Sequence, residues 1–258
     1  MNFVLGRWRA GWTAATAALL LFGALGGALS VRGQTAGGAS SALNNAAVIT
    51  LFGKNTSFTS KVDIKAYDKA QKEITSMPIV FNMLEGKIRM EVDMNEMKST
   101  EQPDPAMAYA KQLKMDHLIA IVRPDKKENV LIYPKAGAYA QVPMTPEEIT
   151  DMEKKYQVAA IKMGTEKING HPCVKNNVTL TGEKGDKQLF VVWNATDLKD
   201  FPLQIQILAP ESSVLMIFKE VKLVKAEARL FEAPAGLTKY DGADRLVRAL
   251  TMKATEKK

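Results

Sequence analysis

The commonest pattern along the chain is a two-residue alternation of apolar and polar side chains. Phe58-Thr-Ser-Lys-Val62-Asp-Ile64-Lys-Ala66 follows it, which sets one face of an extended segment on a core and the other in water. Lys87-Ile88-Arg89-Met90-Glu91-Val92-Asp93-Met94 follows it more strictly, with Ile88, Met90, Val92 and Met94 expected on one face. Leu203, Ile205 and Ile207 repeat it against Gln204 and Gln206. Leu118 to Val122, Leu189 to Trp193 and Val214 to Phe218 are apolar throughout and predict strands covered on both faces.

Turn residues separate these runs. Asn169-Gly170, between Glu166-Lys-Ile168 and Cys173-Val174, is a type I′ hairpin signal, because both central residues of that turn need positive φ. Gly182-Glu-Lys-Gly185-Asp186 joins the next pair, and Pro124-Asp125-Lys126-Lys127 precedes Val130-Leu131-Ile132-Tyr133. The result is a meander of antiparallel strands long enough to curl. Three helices interrupt it. Thr145-Pro146-Glu147-Glu148 is a capping box with proline at the first helical position, and predicts a helix to about Tyr156. Asp104-Pro105 opens a second through Met115, with Met107, Ala110 and Leu113 along one side. The tail from Gly242 to Lys258 carries Leu246, Val247 and Leu250 at helical spacing and predicts a third.

Composition adds an export signal. Arg7 and Arg9 precede an uncharged run from Ala10 to Val31, and Ala28-Leu29-Ser30 or Val31-Arg32-Gly33 supplies small residues for cleavage. This is the three-part layout of a secretory signal peptide, assigned to residues 1–33 and followed by a flexible tether over 34–44. The uncharged run also matches the ~20 residues that span a bilayer, so an uncleaved anchor is the alternative. The sheet domain then occupies 45–241 and the tail helix 242–258. Setting aside Arg7, Arg9 and Arg32 leaves 32 cations against 28 acids, interleaved as in Glu153-Lys154-Lys155. No basic stripe results, which argues against a nucleic-acid partner. Cys173 is the single cysteine, so no intramolecular disulfide forms, and its position excludes a lipobox at the leader.

The chemistry-bearing residues are sparse. His171-Pro172-Cys173 places a base and a thiol two residues apart, the spacing of a nucleophile–base pair or half a metal site. A buried structural thiol beside a hairpin turn explains the same residues, and only His117 remains as a further histidine ligand. No nucleophile elbow, Walker loop, dinucleotide fingerprint or His-Glu-x-x-His occurs. No catalytic residue, metal site or cofactor is therefore assigned. Methionine is the less ordinary feature: Met77, Met83, Met90, Met94 and Met97 cluster, and Met107 and Met115 follow. Flexible thioethers suit a surface that accepts varied apolar partners, and they equally fill a core beneath a curved sheet.

Gly86-Lys-Ile-Arg-Met90, Ile121-Val-Arg-Pro-Asp125, Ile132-Tyr133-Pro134 and Tyr139 stand in an order that resembles exported proteins of the LolA/LolB-like lipoprotein-carrier superfamily, nearest to an uncharacterised exported-protein branch. Gly164 to Cys173, Trp193 to Pro202 and Leu230 to Pro234 look like later landmarks of the same domain, which spans roughly residues 45 to 240. The resemblance implies an α+β fold: a strongly curved antiparallel sheet, an incomplete barrel, with helices packed in or over its concave face. Asp104 to Met115 and Thr145 to Tyr156 are the candidate plug, and the segment from Glu101 to Met115 departs from the family pattern. The implied function is an exported, non-catalytic protein of the periplasm or cell envelope. It would hold a lipid, a lipoprotein acyl chain or another apolar ligand against Ile88, Met90, Val92, Met94, Leu203, Ile205 and Ile207. An envelope protein-interaction or sensor module with a filled core is the alternative, and an exported hydrolase a third. Membrane contact is expected only through an uncleaved leader.

Overall fold

Strict alternation becomes strand in the computed structural model, which describes residues 46–100, 105–210 and 212–256. The assigned leader and tether lie outside the described residues. β1 (Ser57–Asp68), β2 (Glu73–Leu84), β3 (Lys87–Asp93), β5 (His117–Arg123), β6 (Glu128–Tyr133) and β7 (Ala138–Pro143) form one antiparallel series. β4 (Lys98–Ser99) pairs with β2 beside this path. A second antiparallel series comprises β8 (Tyr156–Ile168), β9 (His171–Gly182), β10 (Lys187–Ala195), β11 (Phe201–Ala209) and β12 (Ser212–Lys222). β1 pairs with β12 and joins the two series, while β13 (Thr238–Asp241) adds to β7 in parallel. The order across the sheet is β13-β7-β6-β5-β3-β2-β1-β12-β11-β10-β9-β8, and the sheet is not closed.

The link from β7 to β8 shows how far this sheet curls. Those strands are ten positions apart in the sheet order, ~48 Å if the sheet lay flat. Between them runs only α3 (Pro146–Glu153), whose eight residues advance about 12 Å. The links on either side add about 10 Å each when fully extended. The sheet must therefore curl until its two ends approach, and α3 bridges the gap. This is the incomplete barrel that the resemblance implied.

Alternation then sorts the side chains. Phe58, Val62 and Ile64 of β1, Met77, Ile79 and Phe81 of β2, and Ile88, Met90 and Val92 of β3 all enter one central cluster on the concave side. Into it packs α1 (Ala46–Leu51), a short helix that the sequence pattern did not announce, through Ala47, Val48 and the following Phe52. At the β7 end, α2 (Pro105–Gln112) and α4 (Ala243–Thr255) close a second cluster with Leu113, Met115, Leu246 and Leu250 over Ala138 and Ala140. Residues 224–237 form a strap on the convex side. Ala226 and Phe231 cover Ile121, Val130 and Ile132, and Ser57 Oγ accepts the Ala226 N–H (3.0 Å).

Three expectations need correction. The helix after Thr145 ends at Glu153, because Tyr156 already opens β8 and pairs with Gly182. Val158-Ala-Ala-Ile161 follows the sheet, where the β9 ladder outweighs the helix preference of alanine. The helix from Asp104 stops at Gln112, since Lys114 turns to φ 58°. Of the uniformly apolar runs, Leu118 to Val122 is covered on both sides. Leu189 stays 54% exposed, and Leu215 and Ile217 are half-buried. Leu215 lies between Lys65 and Gln206, so flanking aliphatic stems shelter it without a second layer. The hairpin signal forms as expected, with Asn169 at φ 49° and Gly170 at φ 88°.

Candidate ligand-binding face

The centre of the concave face is an aromatic junction. Phe58 lies 4.9 Å from Phe52 and 4.8 Å from Phe201, centroid to centroid, and Phe81 and Phe218 complete the group. Phe52 directly follows α1 and the other four rings come from β1, β2, β11 and β12, so they pin the place where the two strand series meet. All five are at most 2% exposed. The expected face residues Ile88, Met90, Val92, Leu203 and Ile205 belong to the same closed cluster, and Ile207 is half-buried against it. Met94 does not join them on the strand. β3 ends at Asp93, whose carboxylate accepts the Asn95 N–H (2.9 Å) and turns the chain before Met94 can alternate inward.

Cover over this face is uneven. α1 is buried through its first three residues and Phe52. α3, by contrast, buries no residue fully and rests on the cluster through half-buried Ile149 and Met152. Its start is firm: Thr145 Oγ1 accepts the Glu148 N–H (3.2 Å) and Glu148 Oε2 accepts the Thr145 N–H (2.7 Å). Beyond α3 the inner face continues onto β9 and β8. Val178 and Leu180 are buried there, but Val158, directly opposite Leu180, is 56% exposed. The inner wall therefore changes from sealed to open toward the β8 edge.

Polar groups fix the margins of the wall. Lys135 Nζ reaches Asp116 Oδ2 (2.9 Å) and Asp93 Oδ2 (3.4 Å), and Asn95 donates to both carboxylates. The Lys135 bond holds the Asp116 carboxyl below the usual carboxylate range. That contribution is present at neutral pH and is lost as pH falls through the lowered value. Tyr133, between the central and the α2–α4 clusters, has its hydroxyl pushed up to about 12 by desolvation, so it stays neutral at physiological pH.

The His171–Cys173 pair does not assemble a nucleophile and base. His171 Nδ1 meets Asp197 Oδ2 at 2.8 Å, while the Cys173 thiol donates to the His171 carbonyl at 3.5 Å. Cys173 is 2% exposed and burial pushes its thiol up. We expect a thiol reagent such as Ellman's reagent to modify the native protein at least ~100-fold more slowly than the urea-unfolded chain. Comparable rates would show that the site is open. His117 pairs instead with Glu91 on another strand (2.9 Å), and no cluster of His, Cys, Asp and Glu suited to a metal occurs among the described residues.

No protein-family model matches the chain, and no curated protein sequence matches it. Solved structures do. A LolA superfamily protein from Nitrosomonas europaea aligns at 12% identity and a TM-score of 0.36, over 73% of this chain and 98% of that one. The Mycobacterium tuberculosis lipoprotein LppX aligns at 12% identity and a TM-score of 0.37, over 68% and 93%. A chain of the Pseudomonas aeruginosa MucA/MucB complex aligns at 10% identity and a TM-score of 0.36, over 75% and 62%. The fold itself rests on the strand order and register described above.

Proposed function

We propose that this chain is a non-catalytic binding protein that takes an apolar ligand, a lipid or the acyl chain of a lipoprotein, into the concave face beneath α3. The observation that carries this reading is the uneven cover. A face meant only as core is sealed throughout, as it is around Phe52 and Phe58. Toward β8 the same apolar wall is roofed by a half-buried helix and then left bare. An acyl chain entering there replaces the contacts of Ile149 and Met152, and Ile207 and Leu180 lie on the wall behind it. Ile88, Met90, Val92, Leu203 and Ile205 form the deeper wall, reached only if α1 also shifts. The leader read from the sequence supports a place of work in the cell envelope.

Dansyl-undecanoic acid titrated into the purified full chain tests this. We expect saturable binding with a blue-shifted emission. Val158→Lys should weaken it roughly five- to tenfold, because a cation on the rim faces an apolar chain. Ile149→Ala with Met152→Ala should speed probe entry by loosening the roof. Absence of saturable binding, together with no lipid co-purifying from the native envelope, overturns the reading.

A further inference from the structure

The sheet has two edges and treats them oppositely. β13 is four residues long and lies beside α4, which packs against Tyr240 and β7. β8 is thirteen residues long and, among the described residues, pairs only with β9. Every residue from 157 to 163 is exposed, with Val158 at 56%, Ile161 at 69% and Met163 at 56%. Long bare edges recruit other strands, and proteins usually shorten or cover them. Among the described residues, this chain does so at β13 and not at β8.

The charges on β8 say what kind of strand fits. Its one acid, Glu166, already accepts the Trp193 Nε1–H (2.5 Å) and lies 3.9 Å from Lys175. Lys154, just before the strand, is taken by Asp151 (2.6 Å). Lys155, Lys162 and Lys167 have no ion pair among the described residues. Lys162 sits at the midpoint of the strand. Full overlap with a second copy, antiparallel about that midpoint or parallel in register, therefore sets Lys162 against Lys162, and like charges directly opposite are unfavourable. In those registers the edge selects against itself, and the unpaired Lys162 favours an acid opposite it.

We propose that the free edge of β8 adds an extended strand from a partner protein, apolar at alternating positions and bearing a carboxylate opposite Lys162. Main-chain bonding to the strand supplies affinity, while Lys162 and the exposed Val158 and Ile161 set register and choice. The bulge between Lys162 and Gly164 bends the strand just past Lys162. The docking edge shares Val158 with the rim of the concave face, but its main-chain pairing and the Lys162 contact stand whether or not that face holds a lipid.

The test uses two fluorescein-labelled peptides of alternating threonine and valine, one with a central glutamate and one with a central lysine. The full chain should prefer the glutamate peptide, and Lys162→Glu should reverse that preference, each by roughly five- to tenfold. Bound peptide should slow amide hydrogen exchange over residues 156–163. Equal binding of both peptides, binding of neither, protection confined to other strands, or full protection of residues 156–163 before peptide is added would each overturn the proposal. The last outcome would mean that another segment of the chain already occupies the edge.

Discussion

Replacing Phe58 by alanine is expected to destabilise the protein by about 3–5 kcal/mol, the range for truncating a fully buried phenylalanine. Phe58 is 0% exposed and packs among four other rings. Its loss removes apolar burial, leaves a cavity at the junction, and breaks several tilted or edge-to-face ring contacts. The cost concentrates at one seam, because β1–β12 is the pairing that joins the two strand series. Urea unfolding should show the midpoint falling with little change in slope, and the melting temperature should fall by ~8–15 °C. Phe58→Leu keeps most of the volume and should cost about 1–2 kcal/mol. A loss under about 1 kcal/mol for the alanine variant would mean that the centre is loosely packed and open to ligand.

That seam also marks the limit of what the sequence discloses. The alternation in β1, β3 and β11 was legible because each strand has a wet face, so polarity switches at every residue. The capping box of α3 and the Asn169-Gly170 turn were legible because their chemistry is local. α1 was not, since six residues of Ala-Ala-Val-Ile-Thr-Leu hold no period and no cap. Its helix forms only because the concave face supplies somewhere for Val48 and Phe52 to go. Of β8 only the hairpin arm Glu166 to Ile168 was legible, and the rest was missed for a related reason. Both of its faces are exposed through most of its length, so no face selects apolar residues and the alternation fades. Its register comes entirely from β9.

The candidate site divides along the same line. Ile88, Met90, Val92, Leu203 and Ile205 were found as inward-facing positions by their spacing, and they do face inward. Spacing cannot say whether an inward face meets a core or a cargo, because both want the same side chains. The difference lies in cover, which α1 and α3 provide from distant sequence. Met94 shows the reverse error: a perfect continuation of the pattern ended by an Asp93-Asn95 contact that periodicity does not see. The outer strap was equally hidden. Leu230-Phe231 reads as a short apolar run, and only its partner Arg123, 109 residues from Glu232, gives it a place.

Arg123 should prove the second most costly position to change. It is 2% exposed at the end of β5, where its Nη1 donates to Glu232 Oε2 (2.5 Å) and the Phe231 carbonyl (3.4 Å). Its Nη2 donates to Glu128. One planar fork thus ties the strap to the strand that it covers, a role lysine cannot copy with a single donor head. Breaking a buried pair from one side costs about 3–5 kcal/mol when the other charge is stranded. Here Glu232 is 51% exposed and Glu128 21%, so water relieves both, and we expect about 2–3 kcal/mol for Arg123→Met. The loss should appear as opening of the strap before global unfolding. Amide exchange over residues 224–237 should quicken at least tenfold while β1–β3 keep their protection. Glu232→Gln should cost less than about 1 kcal/mol, because Glu128 and the Phe231 carbonyl still hold the guanidinium. Uniform loss of protection across the whole sheet in Arg123→Met would instead make the strap part of the global folding unit. Phe231 would then act as core, and the convex cover would be as indispensable as the aromatic junction on the concave side.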